Sequence, residues 1–451
     1  MPLVYASAGV SSAGVASRSG EQGLVPPVKL STDRDAGNVT KVRDALDNPF
    51  SPGSDAVPAI WAGRTEQLSD WRDVLRPRLL RGLPERGRTI LGEPGLGKSS
   101  LVRRIAQDAA AGGDWVTPQL RIPSGADPLK LVAAAVLALA DTAGLATARE
   151  KRIAGLLERV QSVAASGISL TVRGQEGPEP HVALTELLVE VGRAAIAHDV
   201  VALVHLDEVQ NIVDESALSQ LLIALGDAIT HEVVVTLPGG ARVSRFLPVA
   251  VYLTGLPDFE DRAGGQKGAT FARRFKTTVL TAIDDDDIVA ALQDFVLPGW
   301  EVPDGGGGTG RIRMEADAVA AIVDLCRGEP FLFQLAGESA WYAGTDATIT
   351  RQQVLAGWRG AQREAAAHVE RILGRLPPRE RAFLEAMAGL PASDRTLTRI
   401  ARTLGLSRAT EVGTTAQRLD TVRGIIDRGK LYGFRHRAIE AYLTSEWPRV
   451  E

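Results

Sequence analysis

The stretch from Gly92 to Ser99, GEPGLGKS, limits the fold more than any other part of the chain. Three glycines this close together extend neither a strand nor a helix well. The residues before it, RTIL (88–91), form a short apolar run. Those after it, KSSLVRRIA, carry helical periodicity. A strand that enters a glycine turn and leaves as a helix fits G-x-x-x-x-G-K-[ST] in its structural context. Glycines 92, 95 and 97 let backbone N–H groups turn inward without a Cβ clash. With the helix N-terminus behind them, those groups make a cradle for phosphate oxygens. The cradle comprises Gly92, Glu93, Pro94, Gly95, Leu96, Gly97, Lys98, Ser99 and Ser100. Lys98 is expected to reach the β- and γ-phosphates, and the Ser99 hydroxyl to ligate Mg²⁺.

Further strand candidates are VTPQLRI (116–122), VVALVHL (200–206), VAVYLTG (249–255) and a weaker KTTVLTA (276–282). Helical stretches rich in alanine and leucine separate them. Short continuous apolar strands between helices predict an α/β fold whose parallel sheet is covered on both faces. The chain has 451 residues, enough for two or three domains. Residues 1–46, rich in Ser, Gly and Ala, are expected to form a flexible arm. DNPFSPGSDAVP marks a boundary, and 47–282 is expected to be the α/β core. Strand signals stop near Ile283. There DDDDIVAALQDFV sets four aspartates before an apolar helix, which suits the helix dipole better than a metal site. PDGGGGTG reads as a flexible loop, and helical periodicity then runs to Leu376, so 283–375 is expected to be a helical lid. The break at Leu376, Pro377 and Pro378 opens a last module, 376–451.

A formal net charge of -4 excludes a global basic field for nucleic acid, so any such surface is local. The single cysteine, Cys326, excludes an internal disulfide framework and reads as a small core residue. The start lacks the pattern of a secretory leader, and the longest apolar stretch, LKLVAAAVLALA, is too short to span a bilayer. A soluble, cytoplasmic chain with no membrane partner is expected.

The strand VVALVHL closes on Asp207 and Glu208, where doubly wound folds place ligand chemistry. Asp207 is expected to hold Mg²⁺, and Glu208 to orient and polarise an attacking water. Alone, such acids are ordinary in a strand-to-helix turn; an upstream phosphate loop changes the balance. Thr254 ends the next apolar strand and is placed to sit beside the γ-phosphate.

In this order and at these separations, GEPGLGKS, VVALVHLDEVQ, VYLTGLPD, FARRF and GEPFLFQLAGESAW resemble the AAA+ ATPases. The resemblance is closest to the origin-recognition and replication-initiator ATPases and the related signal-transducing (STAND) ATPases. IWAGRTEQLSDW resembles that clade's GRE-x-x-L element. NPFSPGSDAVPAIWAGR, with the G-x-P-x-x-x-Q…W element, resembles actinobacterial ATP-binding proteins of undefined role. The likeness runs from about Asn48 to the C-terminus. It implies a P-loop AAA+ core with a helical lid, binding ATP or ADP with Mg²⁺. It also implies Gly63 and Arg64 near the base, Thr254 as the sensor-1 residue, and Pro330 packed near the nucleotide. Arg274, or alternatively Arg273, matches an arginine finger that reaches a neighbouring subunit's γ-phosphate, which implies a homo-oligomer. One departure stands out: Pro330 and Phe331 occupy the place where initiator-type members carry a sensor-2 arginine, and Arg327 precedes the motif. Slow hydrolysis is the expected consequence.

The last module offers three helical stretches, PPRERAFLEAMAGL, TLTRIARTLGLS and TEVGTTAQRLDTVRGIIDRG. GLS makes a tight turn, and Ile400, Ala401, Leu404 and Leu406 form a packing set. KLYGFRHRAIEAYL then supplies a hairpin and a closing helix, and the whole resembles a winged-helix domain. One expectation is double-stranded DNA, with Arg418 and Arg423 toward a groove and Lys430 and Arg435 toward phosphates. The other is protein packing alone, since fold does not confer function. Two functions follow. The first is a self-assembling ATPase switch acting on DNA or a DNA-bound partner. The second is a STAND-type switch that controls protein assembly, with the 1–46 arm or the winged helix as partner contact. Asp207 and Glu208 argue against a third, a non-hydrolysing scaffold.

Overall fold

β1 (Gly87–Leu91), β4 (Ala202–Asp207) and β7 (Val249–Gly255) are buried at every residue. Such runs need cover on both faces. The computed structural model describes residues 43–54, 56–143, 179–236, 238–259, 273–304 and 307–451. It is a mixed α/β fold built on a six-stranded parallel sheet. With β2 (Trp115–Val116), β3 (Leu120–Arg121) and β8 (Phe275–Val279), the order is β2–β4–β7–β1–β8, and β3 also pairs with β4. The expected single strand over 116–122 is therefore two short pieces, with Pro118, which has no N–H to donate, between them.

Alternation along the strands sorts two cores. Val204, Leu206, Val249, Val251 and Leu253 pack under α4 (Pro128–Thr142), α5 (Pro180–His198) and α6 (Glu215–Ile229). Ile90, Leu203, Ala250 and Tyr252 face α3 (Lys98–Ala111) and the helical run of α1 (Thr65–Ser69), a π-turn at Asp70–Leu75 and α2 (Arg76–Leu80). The hairpin β5 (Glu232–Thr236) and β6 (Arg242–Phe246) stands outside this sheet and has no clear sequence signal, because it is only half-buried.

Strands do not stop at Ile283. After α7 (Asp285–Ala291) and α8 (Gln293–Val296), β9 (Trp300–Pro303) pairs with β10 (Thr309–Met314), and β10 pairs with β11 (Thr348–Ile349). The glycine-rich stretch is the turn of that hairpin, apart from residues 305 and 306, which lie outside the described set. Only Val302, Ile312 and Met314 are buried there, too sparse a pattern to read as strands. The aspartate run behaves as its charge suggests: Asp284 is the N-cap of α7 and Asp285, Asp286 and Asp287 fill its first turn. Among the described residues no group of three or more His, Cys, Asp or Glu side chains could hold a metal ion, and no helix is long and apolar enough to cross a membrane.

α9 (Ala316–Cys326), α10 (Pro330–Tyr342) and α11 (Arg351–Arg375) follow. Beyond Leu376 come α12 (Pro378–Ala388), α13 (Leu397–Thr403), α14 (Gly413–Gln417, continued by a π-turn), the hairpin β12 (Ile426–Asp427)–β13 (Gly433–Phe434) and α15 (Arg437–Thr444). One continuous apolar cluster runs from Phe50 through α9–α11 to Trp447, across the proline break. Cys326 lies fully buried in it, and burial pushes its thiol up to about 12. Residues 1–42 of the expected arm lie outside the described set. Its last part is not loose: Arg43 is buried, its Nε donates to Gly344 O at 2.9 Å, and it sits over the Trp341 ring.

Phe50 fixes the chain just before the core. It stacks on Phe295 at 5.7 Å and meets Phe333 edge-on at 6.1 Å. A Cβ on Gly337 would lie 2.3 Å from its ring. Gly337→Ala is predicted to cost about 1–3 kcal/mol by overpacking, despite alanine's better helix propensity. Phe50→Ala should cost about 3–5 kcal/mol through the cavity it leaves. Urea unfolding of both variants measures this; a gain in stability for Gly337→Ala would contradict the packing.

Candidate nucleotide-binding site

Parallel pairing brings three strand ends together. Ile90 is in register with Thr254, and Leu206 with Leu253, so β7 lies between the loop-bearing β1 and the acid-bearing β4. The loop leaves β1 with Gly95 and Gly97 at φ +85° and +77°, left-handed values that disfavour other residues. A Cβ on Gly95 would lie 2.3 Å from the His368 ring, so close packing also requires glycine there. Lys98 opens α3 and is buried, and its Nζ donates to Glu93 O at 3.1 Å. Burial lowers its pKa, against the pull of Glu208, Glu93 and Asp207.

Asp207 is the hub. Its Oδ2 accepts from Gln119 Nε2 at 2.7 Å, and its Oδ1 accepts from Glu208 N at 3.0 Å and from the Thr254 hydroxyl. The Ser99 hydroxyl near this carboxylate favours its ionised form as well. Burial acts to raise the Asp207 pKa, but the bond from Thr254, the His205 ring and these other donors outweigh it and hold it below the ordinary value. Behind them His205 Nε2 lies 3.4 Å from Thr254 Oγ1, and burial brings the imidazole down to about 4. His205 is therefore neutral at pH 7. Glu208 has φ +60°, an uncommon strain for a non-glycine residue, of a kind that clusters at functional sites. Its carboxylate takes a bond from Gln210 Nε2.

Lys98, Ser99, Ser100 and Glu208 line one cleft of about 270 Å³ with Pro94, Gly95, Leu96, Gly97, Arg64 and Pro330. The opposite wall is Ala56, Pro58, Ile60, Ala62, Ile283 and Phe333. Gly63 and Arg64 both adopt left-handed backbone, at φ +62° and +64°. Arg64 Nη2 donates to Leu96 O at 3.0 Å and Thr281 O at 2.8 Å, while its Nε, buried, has no hydrogen-bond partner. Burial lowers this guanidinium to about 10. Pro330 begins α10 and stands 3.6 Å from a Cβ built on Gly97, and Phe331 N donates to Gly95 O at 3.1 Å. Gly92 and Glu93 underlie the loop without lining the cleft. Thr254, fully buried, also lies behind the cleft wall and acts on it through Asp207.

Arg274 is not near this cleft. It precedes β8, accepts from Gly87 N at the opposite end of the strands, and pairs with Asp227; Arg273 beside it is exposed.

Residues to which the sequence motifs gave no such role close the loop from behind. Glu93 is buried, its carboxylate oxygens lack hydrogen-bond partners, and it lies 3.7 Å from Arg423 Nη1. Burial holds its pKa up despite Arg423. Arg423, itself buried, donates to Glu380 at 2.9 Å, and Arg418 donates to Glu380 at 3.0 Å. Arg435 pairs with Asp420 and Asp427. The expected DNA-facing placement is thus corrected for Arg423, which is buried; Arg418 and Arg435 stay partly exposed while paired with carboxylates. Lys430 remains exposed. Glu329 lies between His368 Nε2 at 2.7 Å and His436 Nδ1 at 2.9 Å, all three buried. No fixed spacing ties Gln119, Glu329, His368 and Arg423 to the phosphate loop in sequence, so only the fold unites them.

No family model matches the chain, and no curated protein matches it. Solved structures that it resembles include the Aeropyrum pernix ORC2 protein in ADPNP–ADP complexes, at 16% identity. That match covers 88% of this chain and 96% of that one, with a TM-score of 0.49. A Walker-type ATPase of Pyrococcus abyssi matches at 15% identity over 85% of this chain and 96% of its own, with a TM-score of 0.48. Drosophila ORC bound to DNA matches at 14% identity over 95% and 96%, with a TM-score of 0.38. These likenesses are distant in sequence and in superposition.

The buried Glu329 pair gives a pH signature. Burial would raise the Glu329 pKa, but His436 and His368 outweigh it and hold it at about 2, below the ordinary 4.5. Burial would lower His436, but Glu329 raises it above 6.5. The carboxylate's contribution is present above pH 4.5 and lost as pH falls toward 2; the imidazolium's is present below 6.5 and lost as pH rises through the folded value. Glu329→Gln should therefore destabilise by about 3 kcal/mol near pH 6, with a deficit that narrows on both sides. Urea midpoints of wild type and variant across pH read this; a pH-independent deficit would contradict the pairing.

Proposed function

We propose that this chain is a P-loop ATPase of the AAA+ type that binds ATP or ADP and hydrolyses ATP slowly, as a molecular switch. The observation that carries this reading is the convergence of Gln119, Thr254 and Glu208 N on Asp207, with Ser99 nearby, beside a glycine cradle closed by buried Lys98. A carboxylate and a hydroxyl in contact at the foot of a phosphate loop suit a hard, oxygen-seeking cation. Ser99 and Asp207 would hold Mg²⁺, which when bound neutralises charge on the β- and γ-phosphate oxygens. Lys98 would leave the Glu93 carbonyl for the phosphates. Glu208 would accept a proton from water as its oxygen attacks the γ-phosphorus and the bond to the ADP oxygen breaks. Thr254, held by His205 and Asp207, would orient that water. Gly63, Arg64 and Pro330 would border the base and ribose.

Residues 47–282 are proposed as the nucleotide-binding core, 283–375 as the lid and 376–451 as a winged-helix module. Arg274 lies about 17 Å, one five-residue strand, from its own loop. That separation supports action on a neighbouring subunit, and hence a homo-oligomer. The closure of Arg418, Arg423 and Arg435 on carboxylates favours a STAND-type switch, in which the C-terminal module answers to the phosphate loop, over direct DNA reading by these side chains.

Lys98→Ala is expected to abolish nucleotide binding. Glu208→Gln should keep ATP affinity and slow turnover at least about 100-fold, the usual weight of a positioned base. Full turnover in that variant would show the wrong water-polarising residue. Arg274→Ala should lower turnover only at concentrations where subunits associate; a loss independent of concentration would refute action in trans. Any DNA affinity should depend only weakly on salt, since Arg418, Arg423 and Arg435 are already paired with carboxylates. A steep slope with ATP present would favour the DNA reading instead.

A further inference from the structure

Gln334 is the Q of the G-x-P-x-x-x-Q element, which by itself assigns it no role. It sits on α10, one turn after Pro330, so the two share a helix face. Pro330 packs at the phosphate loop. Gln334 reaches the other way, is 7% exposed, and lines the same cleft. Its Oε1 accepts from Ser51 N at 3.0 Å, and its Nε2 donates to Ile60 O at 2.9 Å. Both partners are backbone groups, at the two ends of one loop. Along that loop, Gly53, Ser54, Ala56 and Pro58 line the cleft. Phe50, locked beside Gly337 and Phe333, anchors the chain just before it.

We infer that Gln334 is a positioning residue that staples this loop to α10 and so builds the base-binding end of the nucleotide cleft. This rests on the ATPase reading above and deepens it. Its bonds to Ser51 and Ile60 use both ends of the amide, so it acts on the ligand through the loop. Beyond Ser51 and Ser54, the wall it holds is apolar, through Ala56, Pro58, Ile60 and Ala62. Such a wall suits the flat face of a nucleobase and carries no cation for a phosphate. The staple therefore serves the base, while Lys98 and the glycine turn serve the phosphates. Because α10 touches both ends, the spacing between base pocket and phosphate cradle is set by one helix.

The test titrates the full chain with ATP, ADP and inorganic tripolyphosphate in competition with a fluorescent nucleotide. In Gln334→Ala, ATP and ADP should each weaken about tenfold, the worth of two lost hydrogen bonds, while tripolyphosphate is unmoved. Gln334→Glu keeps the acceptor for Ser51 N and loses the donor to Ile60 O. It should weaken both nucleotides about threefold, again sparing tripolyphosphate. If the alanine variant fails to fold, the glutamate variant decides the matter by the same comparison. A merely structural role would weaken ATP and tripolyphosphate together, and that result overturns the staple. So does an unchanged ATP affinity in variants of a wild type that binds ATP. A wild type that binds neither nucleotide nor tripolyphosphate overturns the ATPase reading, and the staple with it.

Discussion

The carboxylate of Asp207 gathers the chemistry of this molecule. Three separate parts of the chain converge on it, Ser99 from the loop helix, Gln119 beside β3 and the Thr254 hydroxyl, together with the amide of its own neighbour Glu208. That convergence follows from strand order. With β7 between β1 and β4, a threonine at the end of β7 has the phosphate loop on one side and the acid on the other. Buried apolar runs on all three strands hold the order in place, and the site inherits its precision from them.

A second layer of charge lies behind the loop. Glu93 carries a carboxyl into a place that water does not reach, where burial raises its pKa, and Arg423 from the C-terminal module faces it while also holding Glu380. Glu329 links His368 on α11 with His436 before α15 in the same way. Buried ion pairs contribute little net stability but make separation costly, because either partner left alone is an uncompensated charge. The C-terminal module is thus tied to the loop through contacts that a change in loop charge would disturb.

Much of the core was legible because its signals are local. The strand, glycines and lysine of the loop are contiguous, and the acidic pair closes an unbroken apolar run. The strands β5, β6, β9 and β10 escaped notice because each is short and half-buried, and the glycine-rich turn disguised the second pair. Arg418, Arg423 and Arg435 looked like surface cations because their carboxylate partners are brought near only by folding; Glu380 is 38 and 43 residues away along the chain from the first two. Gln334 stood in the G-x-P-x-x-x-Q element, but its role was hidden for the same reason. A single amide in an apolar helix carries no periodic signal, and its partners are backbone groups 274 and 283 residues away.

The most direct test of the whole account is calorimetric titration of the purified full chain with ATP, with and without magnesium, beside Asp207→Asn. The account predicts saturable binding by wild type that tightens when magnesium is added, and a variant that still binds but no longer responds to the ion. Heat of binding from neither ATP nor ADP in the well-folded wild type, or a magnesium response that survives the loss of the Asp207 charge, would contradict it.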